Sequence, residues 1–167
     1  VRLPRRLWPV GAWAGFLFAA EFICLFTALD LTSVSRVSIL FYSMPVWLAI
    51  FANFLLPGEQ LTPARALGLA LAMAGVTWAV LERDPVTGGS ILGDVLAIIA
   101  ALSWAAIALT VRLSRLREET PETQLFVQQL VAAPILIGFG LWVGDPITNP
   151  TTLHWAGVMY QTVIVAF

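Results

Sequence analysis

Glu21 lies near the middle of an uninterrupted apolar run, Val10 to Leu29, and is the residue with the most unusual chemistry in the sequence. A charged side chain at the centre of a bilayer costs at least about 2.5 kcal/mol on insertion scales, so it faces protein or water rather than lipid. Its role there is either functional, in carrying a proton or contacting a substrate, or structural, as an ion pair or a hydrogen-bonded acid that holds helices together. Arg36 is the natural partner. Glu21 lies about 12 Å from the end of its run, and Arg36 is roughly 3 to 5 Å into the next. Two further readings of Arg36 stay open: pairing with a substrate carboxylate or with Asp30, and snorkelling to the headgroups.

The second apolar run contains Phe41-Tyr42-Ser43-Met44-Pro45-Val46-Trp47. A proline in mid-span removes one backbone hydrogen bond and kinks the helix. The freed carbonyl needs a neighbour, a hydroxyl or water, so the kink either borders a cavity, with Tyr42 and Ser43 supplying polar groups, or serves packing. Asn53, deeper in the run, is either interhelical glue or lining. Ser103-Trp104 is central in a later run, where the indole is packing or a cavity wall. Gln124 and Gln128 share a face at i, i+4, with Gln129 adjacent, and are lining or interfacial. Pro134 predicts a second kink. Asp94 falls near a helix start, where a carboxylate suits the macrodipole. Ala66, Ala70 and Ala74, with Gly68, Ala72 and Gly75, form small-residue stripes that let helices approach closely, so this run is read as scaffold.

Soluble-enzyme chemistry finds no support. HExxH, GxSxG, Walker A and GxGxxG patterns are all absent, and Thr87-Gly88-Gly89-Ser90 follows no strand. Cys24 is the one cysteine and His154 the one histidine, which excludes an internal disulfide and argues against a metal centre. No cofactor is expected. The nine basic residues are all arginine, and no basic patch with interleaved aromatics points to nucleic acid.

Positioning falls to membrane helices. Of the 167 residues, 59 % are hydrophobic and 11 % charged, against about 25 % charged in soluble domains. Six apolar runs follow one another: Val10–Leu29, Val34–Leu56, Ala64–Leu81, Ile91–Val111, Leu125–Val143, and one from Leu153 to Phe167. The first five are long enough to cross a hydrocarbon core of about 30 Å. The first exceeds the apolar stretch of a cleaved signal. The sixth is still running where the sequence stops and the first residue is not Met, so a segment of a longer protein is expected. Short connectors rich in Pro, Gly and Asp predict antiparallel sequential neighbours. Arg2, Arg5, Arg6, Arg65, Arg112, Arg115 and Arg117 alternate onto one side and Arg36 and Arg83 onto the other, which puts the arginine-rich side in the cytoplasm. The chain thus reads as an all-α, polytopic transmembrane helical bundle of the inner membrane.

Several motifs share an order and spacing with a known family: Ala28-Leu29 through Thr32-Ser33; Pro45; Leu56-Pro57-Gly58-Glu59-Gln60-Leu61-Thr62; Leu67-Gly68; and Ala74-Gly75-Val76. Gly93-Asp94-Val95-Leu96-Ala97 through Ala101-Leu102-Ser103-Trp104-Ala105 follows. Together they resemble EamA-type transporters of the drug/metabolite transporter superfamily. The resemblance implies ten helices in two inverted five-helix repeats around a central substrate cavity, with the runs here as helices three to eight. Residues 1–83 would end the first repeat, 84–90 link, and 91–167 begin the second. Glu59, on a cytoplasmic connector, would be structural, and Glu21 is no general signature of that family. The expected function is secondary transport of a small metabolite, an amino acid or related compound, by alternating access, with protons as a possible coupling ion. Glu21, Arg36, Tyr42, Ser43, Trp104 and Gln128 are the expected substrate-binding or coupling residues. A non-transporting scaffold, sensor or enzyme of the membrane is the alternative. Oligomeric state is not legible.

Overall fold

The computed structural model describes residues 7–83, 89–144, 151–160 and 163. Arg2, Arg5 and Arg6, residues 84–88 and 145–150 of the expected connectors, and most of the sixth run beyond Tyr160 lie outside the described residues. Among those described, the regular structure is helical: α1 (Trp8–Leu31), α2 (Val34–Phe41), α3 (Met44–Leu55), α4 (Pro63–Arg83), α5 (Ile91–Leu113), α6 (Pro121–Val143) and α7 (Thr152–Tyr160), with a short 3₁₀ turn at Arg115–Glu118. Four stretches are long and apolar enough to cross a bilayer: Trp8–Leu31, Val34–Leu55, Ile91–Leu113 and Pro121–Val143. The protein is an all-α, multi-pass membrane protein. Large apolar side chains turn outward along it, including Phe54, Trp78 and Trp142, as expected where lipid replaces water as solvent.

Polar residues set the helix boundaries. Ser33 accepts the Arg36 N–H at 3.4 Å and starts α2. Thr62 caps α4 by accepting the Arg65 N–H at 3.3 Å, with Pro63 in the first turn where its missing donor costs nothing. Thr120 accepts the Thr123 N–H at 3.4 Å ahead of Pro121. The kink expected at Pro45 is a local interruption: α2 ends at Phe41 and α3 begins at Met44, while Tyr42 and Ser43 between them keep right-handed helical dihedrals. There the Ser43 hydroxyl donates to the Leu40 carbonyl at 2.5 Å and accepts from the Trp47 indole N–H at 3.0 Å. Side-chain polar atoms thereby take up part of the hydrogen bonding that the interrupted ladder gives away.

The chain divides into two units, Val1–Leu136 and Ile137–Phe167. In the second, Phe139 and Trp142 meet edge to face at 6.3 Å and the Gly144 N–H closes on the Gly140 carbonyl at 2.8 Å. The first is organised around α5, which packs most extensively on α1 and then on α3 and α2. Its largest packing partner is thus not the sequential neighbour the short connectors suggested. The α1–α5 seam is built from small residues. Gly93, Ala97, Ala101 and Ala105 recur every fourth position and are buried, as are Ala14, Ala19 and Ala28 of α1, and Ala28 and Ala97 share one buried cluster. With a methyl group or less at each contact, the backbones approach closely and gain dispersion along their whole length. A Cβ on Gly93 would lie 2.9 Å from Thr32, so the start of α5 meets the end of α1 and the two run antiparallel.

The small-residue stripe of α4 behaves otherwise. Nothing lies within 4 Å of a Cβ added at Gly68 or Gly75, and Ala66, Ala70 and Ala74 are exposed. The spacing permits close approach there, but no described helix uses it. Instead α3 and α4 flank open cavities of about 380 and 270 Å³.

Candidate functional site

Glu21 is buried in mid-α1 at 4 % exposure, and its Oε2 has no hydrogen-bond partner among the described residues. Burying a polar atom without a partner carries the full desolvation cost, so the carboxyl is a candidate for an exchanging proton or ligand rather than a completed structural contact. The antiparallel register that brings Ala28 and Ala97 into one buried cluster sets Trp104 level with Glu21, each seven residues further in. Ser103 beside it is buried and Trp104 half-buried. The helix break at Tyr42–Ser43 falls at similar depth, because both Glu21 and Ser43 lie about 14 to 17 Å from the Thr32–Ser33 turn. Glu21, Ser43 and Trp104 therefore share the middle level of the bundle. Tyr42 is half-exposed at the same break.

Gln128 is buried at 6 % on α6. A Cβ on Gly15 would stand 2.6 Å from the Gln128 carbonyl oxygen, so α1 and α6 touch backbone to backbone at this level. Gln128 lies about 9 Å from Glu21 along α1, measured from Gly15. Its neighbour Gln124 is not lining: its amide donates to the Leu116 and Glu119 carbonyls at 2.8 and 3.0 Å and closes the 3₁₀ turn. Asn53 is glue, with Oδ1 accepting the Leu61 N–H at 2.8 Å.

Arg36 does not reach Glu21. Its guanidinium clasps Asp94 of α5 side-on, with Nε at 2.9 Å from Oδ1 and Nη2 on Oδ2, and Thr32 donates to the same carboxylate at 3.4 Å. The expected Glu21–Arg36 pair fails because Arg36 sits in the first turn of α2, level with the start of α5, while Glu21 is 11 residues back along α1 from Thr32. Asp30 is exposed. A second pair joins Arg112 to Glu59 at 2.9 Å. Asp94 and Arg112 lie about 27 Å apart along α5, so the two pairs bracket a bilayer core of about 30 Å. The Glu59 connector and the end of α5 share one end of the bundle, as the alternation of arginines required.

From sequence Asp94 was read only as a helix-start carboxylate and Thr32 only as part of a motif, and the helix contacts at Gly11 and Gly15 were not singled out. The Gly11-x-x-x-Gly15 and Gly93-x-x-x-Ala97-x-x-x-Ala101 spacings were the available signals; nothing local marked Asp94 as a partner of Arg36. Among the described residues, no three His, Cys, Asp or Glu side chains converge as a metal would need.

Residues 2–81 match the EamA-like transporter family. No curated protein and no solved structure matches the chain. The match covers just under half of the chain, and over those residues it is similar to a family of membrane transporters of the drug/metabolite type.

Proposed function

We propose that the protein is a secondary carrier that moves a small metabolite, an amino acid or related compound, across the inner membrane by alternating access. The observation that carries this reading is the buried Glu21 carboxyl with an unpartnered oxygen, at the depth of a helix break and of Trp104. Midplane polar groups beside discontinuous helices are how such carriers hold solute and coupling ion. Glu21 binds substrate or carries the coupling proton, and Ser43 and Trp104 share its level. Tyr42 stands at the same break, Gln128 lies about 9 Å away along α1, and Arg36 stands at the outer end. Residues 1–83 end one repeat, 84–90 link, and 91–167 begin the next. The Glu59–Arg112 end faces the cytoplasm, in keeping with the seven arginines on that side.

Reconstitution in liposomes under an imposed proton gradient tests this, with uptake followed for a panel of radiolabelled amino acids. Saturable uptake is expected. Glu21→Gln keeps the shape of the side chain and removes its charge, so it should insert normally and transport poorly or without pH dependence. Full uptake by Glu21→Gln with an unchanged pH profile would leave Glu21 a structural residue.

A further inference from the structure

The Arg36–Asp94 pair does more than join two helices. Asp94 occupies the Nε–Nη2 edge of the guanidinium. Arginine carries five N–H donors, so a second fork, formed by Nη1 and Nη2, remains. It has no protein partner among the described residues, and the Arg36 side chain keeps 34 % of its surface exposed. Arg36 and Asp94 both line a cavity of about 420 Å³ whose other walls are Ile39, Leu40 and Ile98. That volume suits a small solute. The cation is also held in place. A Cβ on Gly89 would stand 2.8 Å from Arg36 Nε and 2.7 Å from the Thr32 hydroxyl, so the backbone there packs directly on the pair. A guanidinium held in place on a cavity wall with one fork unfilled can recognise a planar carboxylate in bidentate fashion.

Asp94 decides which carboxylates fit. A plain anion on the free fork would sit against the Asp94 charge, and a plain cation at Asp94 would sit against Arg36. A molecule that carries a carboxylate and an ammonium group on one carbon gains from both partners. We infer that the α2–α5 cavity is a subsite for a zwitterion with an apolar side chain, its carboxylate on the second fork of Arg36, its ammonium on Asp94, and its side chain against Ile39, Leu40 and Ile98. This rests on the reading of the protein as a solute carrier and names the charge class that it selects.

The test is thermal stabilisation of the purified protein in detergent by leucine, by N-acetylleucine (an anion) and by leucine methyl ester (a cation), alongside uptake of the amino-acid panel in liposomes. Leucine should stabilise the wild type and the two analogues should not. Arg36→Lys keeps the charge but loses the fork, and should weaken leucine binding by at least about tenfold. Asp94→Asn removes the repulsion, so N-acetylleucine should then bind as well as leucine. Either analogue stabilising the wild type as strongly as leucine would overturn the proposal, as would leucine binding unchanged in both variants. Stabilisation by phosphatidylglycerol in place of leucine would assign the fork to a lipid headgroup and overturn it equally. If the variants fail to fold, the three ligands on the wild type still decide. Uptake of some solute without any leucine effect sinks the subsite alone, whereas uptake of no solute sinks the carrier reading.

Discussion

Gly15→Ala adds one methyl group where the structure has no room for it. The new Cβ would lie 2.6 Å from the Gln128 carbonyl oxygen and 2.7 Å from Val131 Cβ, where ordinary contact begins at 3.4 Å. One obstacle is backbone and cannot rotate away, so α1 and α6 must part by about 0.8 Å at this crossing, the shortfall from ordinary contact. Gly11 on the same face offers no relief, because a Cβ there would collide with the buried Val127 side chain. Overpacking of this kind costs about 1 to 3 kcal/mol. For a chain of this length each kcal/mol moves the melting temperature by about 2 to 4 °C, so Gly15→Ala should melt about 2 to 12 °C below the wild type. Gly68→Ala is the matched control. It too adds a methyl group to a helix, but nothing lies within 4 Å of it, and helix propensity makes it neutral or stabilising by up to about 1 kcal/mol. Far-UV circular dichroism in detergent reads both. Equal melting temperatures for the two variants would refute the α1–α6 crossing as described. Parting these helices also shifts Gln128 relative to Glu21, so uptake by Gly15→Ala should fall more than stability alone explains.

Sidedness can be read with an impermeant thiol reagent on intact cells carrying single cysteines in a Cys24→Ala background: Ser90→Cys should label and Thr120→Cys should not, and the reverse pattern would invert the proposed orientation. Glu59→Gln removes a pair whose side chains are 45 % and 46 % exposed, so solvent screening should hold the loss below about 1 kcal/mol, seen as a small shift in melting temperature that shrinks further at high salt.

The membrane class and the helix positions were legible in the sequence because lipid imposes a one-dimensional rule, and so was the placing of the Glu59 connector and the end of α5 at one end of the bundle. A span must be about 20 apolar residues long, and arginines collect on alternate connectors. Of the two mid-span prolines expected to kink their helices, Pro45 stands where α2 gives way to α3, whereas Pro134 lies inside the continuous α6, so a missing N–H marks a weak point without deciding that the helix stops. Glu21 was legible as an anomaly because depth is read by counting along the chain. Which side chains meet across the bundle was not. The stripe of α4 and the seam of α5 carry the same four-residue spacing of small residues, yet the described structure buries the second and leaves the first open, because spacing states only that approach is sterically allowed. Arg36 had two candidate protein partners within reach by depth, Glu21 and Asp30, and it pairs with neither. It clasps Asp94, 58 residues on, because the antiparallel packing of α5 on α1 sets the start of α5 beside the turn that begins α2. Depth follows from sequence one residue at a time; azimuth around the bundle depends on every helix packing at once, and only the tertiary structure decided it.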